Sequence, residues 1–134
     1  MKMARNMAAP LGITFFRLVS EHGSDVASLH ARDGQCVFVA PSVHRALGWS
    51  SEEVQGRSLF DFAAPEDWIR LEEALAVEGE ATGRVTYRFR TPTGEYRWVE
   101  TLTQATGSNR ERLVVCMTRD VSTHKRATTS LEES

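Results

Sequence analysis

The chain has 134 residues, of which 41% are hydrophobic and 25% charged, and its formal net charge is −2. That length suits one domain with a single core, and the composition excludes global disorder. So small a net charge supplies no general field to hold nucleic acid or an anionic membrane, although Arg84, Arg88, Arg90 and Arg97 form a local basic cluster along the chain.

No apolar run approaches the roughly 20 residues needed to cross a bilayer. The opening stretch is interrupted by Pro10, Gly12, Thr14 and Arg17, so no signal peptide is expected. Cys36 and Cys116 each sit in an apolar, strand-like run without His or Cys neighbours. Two reduced core thiols are expected, with neither a disulfide nor a metal site, and with them a cytoplasmic location.

Residues 1–13 are Met- and Ala-rich and are expected to be a disordered or frayed N-terminus. Residues 14–21 read as a short helix, with Phe15 and Val19 four apart beside Phe16, ended by Gly23 and Ser24. Two strands follow, 25–31 and 35–40, joined at Asp33-Gly34, a dipeptide that predicts a tight primed turn because glycine accepts positive φ. A helix over 42–47 carries Val43 and Leu47 on one face and closes at Gly48. Ser50 and Glu53 have capping-box spacing for a helix that Gly56 stops, and 58–62 is a further short helical piece.

Pro65-Glu66-Asp67 predicts the start of the longest helix, since proline suits the first position and acids suit the positive end of the dipole. Trp68, Leu71 and Leu75 are expected on its core face, with Ile69 and Val77 on the shoulder and Gly79 at its end. The period then changes to two. Val85, Tyr87 and Phe89 alternate with Arg84, Thr86, Arg88 and Arg90, a turn falls at Thr93-Gly94, and strands are expected over 96–103 and 113–118 around a turn at 107–109. Arg88 and Arg90 are expected to pair with Glu95 or Glu100. The fold class is α+β: a five-stranded antiparallel sheet with short helices and one longer helix on one face.

Several stretches resemble a PAS domain with its C-terminal PAC motif, over about 15–127. Val37-Phe38-Val39-Ala40-Pro41-Ser42 is similar to the family's hairpin running into its first pocket helix. Leu47-Gly48-Trp49-Ser50-Ser51-Glu52-Glu53-Val54 resembles its "LGY-S-EEL" stretch, and Pro65-Glu66-Asp67 its "HPED" helix start. Gly94-Glu95-Tyr96-Arg97-Trp98-Val99-Glu100 resembles the "DG-YRWVE" hairpin, and Arg119-Asp120-Val121-Ser122 the "RDIT" sequence that joins such domains to their effectors. Ala40 and Ala64 depart from the pattern, where serine and histidine are common.

The resemblance implies a sensory module, non-catalytic itself, in a bacterial signalling protein such as a histidine kinase. A ligand-free dimerisation or relay module is the alternative. Pocket candidates are Trp49, Phe60, Phe62, Trp68, Leu71, Leu75, Tyr87 and Phe89. Each also has a plain core role, while Trp68 and Tyr87 carry polar atoms that need partners if buried. Leu59 stands where photoactive flavin-binding members carry a cysteine, so no covalent flavin adduct is expected. No histidine lies between Phe60 and Glu80 to ligate haem, which leaves non-covalent flavin or a small metabolite. Arg119, Asp120, Val121 and Ser122 are the expected signal relay, and Phe15, Phe16 and Val19 the expected homodimer contact. Residues 14–122 then form the domain, and 123–134 a linker helix towards an output domain of a longer protein.

Overall fold

A computed structural model describes residues 25–106 and 113–122. The expected helix over 14–21, with Phe15, Phe16 and Val19, lies outside the described residues, as do the turn at 107–109 and the linker over 123–134. Five strands, β1 Val26–Ala31, β2 Cys36–Val39, β3 Thr82–Arg90, β4 Tyr96–Thr106 and β5 Leu113–Asp120, form one antiparallel sheet in the order β2-β1-β5-β4-β3. Between β2 and β3 run α1 Ser42–Leu47, α2 Ser51–Val54, two 3-10 turns at Leu59–Asp61 and Pro65–Asp67, and α3 Trp68–Leu75.

Both described hairpins use one turn design. In the first, the Ala31 N–H donates to the Gln35 carbonyl and the Gly34 N–H to the Ala31 carbonyl; in the second, Thr91, Glu95 and Gly94 repeat the pair. The first is therefore wider than the two-residue primed turn expected at Asp33-Gly34, and the register shifts between Leu29 and His30. Gly34, at φ +96, takes the left-handed step. A side chain there would also press to 2.8 Å from the Phe60 ring.

The short helices are specified locally. α1 ends at Gly48, whose φ of +88 lets its N–H reach the His44 carbonyl. Ser50 and Glu53 form the expected reciprocal box, at 3.2 and 3.0 Å. The longest helix differs from expectation in length and phase. Pro65–Asp67 is a 3-10 turn, the α-helix stops at Leu75, and Val77 lies beyond it. The Ala74 carbonyl in its last turn accepts from Thr103 Oγ1, and the Val77 carbonyl just beyond the helix accepts from Arg32.

The buried stripe on this segment is Asp67, Leu71, Ala74 and Leu75, with spacing i, i+4, i+7, i+8. Asp67 therefore takes the place expected for Trp68, which is 43% exposed, while Ile69 is 73% exposed. Val85, Tyr87, Phe89 and Val99 from the sheet meet α1 and α3 in the core. β1 and β5 are buried along nearly their whole length, and Leu29, Val115 and Met117 are as covered as the inward-facing residues. The continuous apolar run Val114-Val115-Cys116-Met117 is the sequence counterpart of strands covered on both faces.

Candidate functional site

The aromatic candidates separate into core and surface. Phe62 stacks on Phe89 with centroids 5.2 Å apart, and Trp49 meets Phe62 edge-on at the same distance. Such pairs add about 0.5–1.5 kcal/mol beyond the area they bury. Trp49 Nε1 donates to the Arg90 carbonyl at 2.8 Å. Tyr87, Leu71 and Leu75 are fully buried, and the Tyr87 hydroxyl lies 2.9 Å from Thr101 Oγ1. Phe60 and Trp68 form an edge-on pair on the outer shoulder, where Trp68 Nε1 donates to the Ala63 carbonyl.

A small cavity opens instead between β1, β2, α1 and the Phe62–Phe89 stack, with a volume of about 20 Å³. Of the eight pocket candidates only Phe62 and Phe89 line it. Val43 and Leu47 close it from α1, and its polar lining is Ser28, His30, Thr118 and Arg57. The sequence pointed to His44, on α1, as the only histidine near a possible pocket, whereas the wall carries His30 beside Ser28, which the sequence did not single out. The signal was their phase, because both share the inward face of β1 with the core residue Val26.

His30 is 3% exposed, and both ring nitrogens are engaged, Nδ1 with the Gly34 carbonyl at 3.1 Å and Nε2 with Ser28 Oγ at 2.9 Å. Burial outweighs the Gly34 bond and lowers its pKa to about 4. Burial likewise pushes the Cys36 thiol up to about 11 and raises that of Cys116 further. Among the described residues no cluster of His, Cys, Asp or Glu is arranged to hold a metal.

A flavin or a haem does not fit this cavity. Its volume accommodates about one water-sized group, against roughly 300–1,000 Å³ for a drug-sized site. His30, the one histidine on its wall, has no ring nitrogen left for iron.

The charges next to the site are also redistributed from expectation. Arg88 pairs with Asp67 and Glu66 rather than with Glu95 or Glu100, Arg90 donates to the Asp61 carbonyl, and Glu100 takes Arg119. Asp67, 2% exposed, accepts from the Arg88 N–H and guanidinium and from Arg70. Burial pushes its carboxyl up, but the Arg88 and Arg70 hydrogen bonds prevail and its pKa is lowered.

At the exit of β5, Asp120 Oδ1 accepts the Ser122 N–H at 2.8 Å. The Val121 N–H donates to the Trp98 carbonyl, and Ser122 Oγ accepts the Trp98 N–H at 3.0 Å. Arg97 links this turn to the cavity wall: its Nη1 donates to the Ala46 carbonyl of α1 at 2.8 Å and lies 3.7 Å from Asp120 Oδ2. Ala46 O is one of the carbonyls a helix end leaves without an internal partner, so the guanidinium satisfies α1 and faces the exit carboxylate at once.

Comparison with known proteins agrees with this architecture. A family model described as "PAS fold" matches residues 36–118. The Aryl hydrocarbon receptor nuclear translocator homolog of Drosophila melanogaster is 32% identical over 85 residues, covering 61% of this chain and 13% of that protein. The chain thus spans about one eighth of the length of this curated relative. Among solved structures, the sensory box histidine kinase/response regulator from Burkholderia thailandensis superposes with a TM-score of 0.67 at 24% identity, over 87% of this chain and 92% of that one. The PAS domain of an HTR-like protein from Haloarcula marismortui gives 0.65 at 19% identity, over 80% and 89%. With the sheet order, the helices on one face and this match in hand, the chain belongs to the PAS fold family.

Proposed function

We propose that this PAS module is a sensory relay in which a change at the cavity wall is passed through Arg97 to the turn at Asp120, Val121 and Ser122, and from there to a covalently linked output domain such as a histidine kinase. The observation that carries this reading is the double engagement of Arg97, with the Ala46 carbonyl on one side and Asp120 on the other. Val43 and Leu47 of α1 line the cavity, so a shift of α1 changes the geometry available to that guanidinium. The exit turn is itself held by the hydrogen bonds of Trp98 with Val121 and Ser122. Self-association through Phe15, Phe16 and Val19 belongs to the same proposal. Placement in the cytoplasm does too, and among the described residues no helix is long and apolar enough to cross a membrane.

The test is Arg97→Gln in the parent protein. Output should stop following the input while the melting temperature of the module stays near that of the wild type; unchanged regulation would remove Arg97 from the path. The small cavity favours a second reading, a ligand-free relay. Denaturing mass spectrometry and an absorbance spectrum of the purified protein separate the two, because a released small molecule supports sensing and its absence supports the relay.

A further inference from the structure

We propose that the groove between α3 and the open half of the β3 edge docks an extended peptide, added to the sheet as a further strand, with an acidic residue opposite Arg84. The proposal is independent of the relay, because neither Arg97 nor the exit turn lines this groove.

The edge of β3 divides at Thr86. Even-numbered residues of this strand turn their backbone N–H and carbonyl groups away from β4, as the outward bonds of Arg88 and Arg90 show. Beyond Thr86 the edge is closed by Asp67, Phe62 and Ala64, and the Thr86 carbonyl accepts from Arg70 Nη1 at 2.6 Å. Before Thr86 it is open. Among the described residues, the N–H and carbonyl groups of Thr82 and Arg84 and the Thr86 N–H have no partner. Arg84 alone offers the donor and acceptor that one residue of an antiparallel strand exchanges.

The groove beside this stretch is preformed. Arg70, Glu73, Ala74 and Val77 make one wall and residues 82–86 the other, around about 480 Å³. The end of the α3 wall is fixed, since the Ala74 carbonyl accepts from Thr103 and the Val77 carbonyl from Arg32. Gly83 lets that end approach the strand, because a Cβ there would stand 3.0 Å from the Ala74 carbonyl and 3.1 Å from Val77. The open stretch is about 13 Å long, the span of a short peptide strand.

Charge and phase define the occupant. Arg84 is exposed, makes no ion pair among the described residues, and lies opposite Leu102 on β4. Glu100, opposite Thr86, is already held by Arg119. A peptide residue paired with Arg84 shares its face, so an acidic side chain there gains a cross-strand charge pair. The neighbours of that residue point to the other face, where Ala74 and Val77 suit apolar side chains and Glu73 repels an acid. The fitted pattern is therefore apolar, acidic, apolar. A second copy of this chain is the wrong occupant, because pairing on the same stretch sets two Arg84 side chains on one face, opposite or diagonal to each other.

The experiment titrates the full chain with the end-blocked pentapeptide Thr-Val-Glu-Val-Thr and follows amide shifts by NMR, with Thr-Val-Lys-Val-Thr as the control. The expected result is a saturable downfield shift of the Arg84 and Thr86 N–H signals with the glutamate peptide. Arg84→Ala should weaken binding about two- to fivefold, the worth of an exposed ion pair, and Arg84→Glu should reverse the preference between the two peptides. N-methylation of the peptide's glutamate removes the donor to the Arg84 carbonyl and keeps the charge; it should weaken binding about five- to tenfold. No saturable shift at Arg84 and Thr86, an equal response to the lysine peptide, or undiminished binding of the N-methyl peptide overturns the proposal. Shifts at these amides that grow with protein concentration in the absence of peptide would assign the edge to a second copy and overturn it as well.

Discussion

Acidification should destabilise this domain through His30 in a window that few other groups share. The folded imidazole has its pKa near 4, against 6.5 for the free side chain. Because the folded value is lowered, the unfolded chain takes up a proton first as pH falls. Stability from this group is complete above about pH 6.5, declines down to about pH 4, and is flat below that. The difference of about 2.5 pH units corresponds to about 3 kcal/mol, a large share of the roughly 5–15 kcal/mol that holds a typical domain. Asp67 does not confuse the assignment. Its lowered pKa places its own loss below about pH 4, and it contributes equally to wild type and variant. Urea unfolding followed by tryptophan fluorescence at several pH values between about 7 and 4, for wild type and His30→Gln, isolates the term. The two stability curves should converge as pH falls. Curves that stay parallel across the window would refute the reasoning, because the buried imidazole would then not be held neutral by its surroundings.

Three further outcomes are expected. Asp67→Ala should cost about 1–3 kcal/mol in urea unfolding, since it leaves the half-buried Arg88 N–H without its acceptor and removes one carboxylate partner from each of Arg88 and Arg70; a loss within ~0.5 kcal/mol would show the cluster to be surface decoration. Gly83→Ala should destabilise by about 1–3 kcal/mol, because its new methyl would stand 2.5 Å from Thr103 Oγ1 and 3.0 Å from the Ala74 carbonyl, and a neutral result would mean that α3 and β4 can part without penalty. Cys36 and Cys116 should resist a thiol reagent in the native protein at mildly alkaline pH and react only on unfolding; rapid native modification of either would contradict their burial and raised pKa values.

Features whose causes are local were legible in the sequence. The Ser50–Glu53 box, the Gly48 stop and the turn at Thr93-Gly94 are each complete within five residues, and the structure has all of them. Asp67 was harder, because a carboxylate in a first helical turn already has a sufficient local reason. Its main partner lies 21 residues along the chain. The hydrophobic pattern assigned the core position to Trp68, and the actual phase could be read only once Arg88 supplied Asp67 with a reason to be buried. His30 and Ser28 were obscured for a similar reason. Polar residues at inward-facing strand positions look like pattern noise until their hydrogen bonds are known. The exit motif was recognisable as a word, but its link to α1 through Arg97 spans 51 residues and has no periodic signature.

The margins of the sheet constrain how the module can be joined to other molecules. Along β3 the outward N–H groups of Arg88 and Arg90 are taken by Asp67 and by the Phe62 carbonyl, the Arg88 carbonyl by Ala64, and that of Thr86 by Arg70. At the opposite margin the Cys36 N–H and carbonyl are occupied by Arg57 and Gly56. Exposed Arg84 adds a charge to the remaining stretch of β3. Edge-to-edge stacking of copies, the ordinary hazard of an open sheet, is thereby disfavoured along these stretches. A module whose outer backbone groups are taken up in this way can be repeated along a chain with less risk of pairing at these stretches.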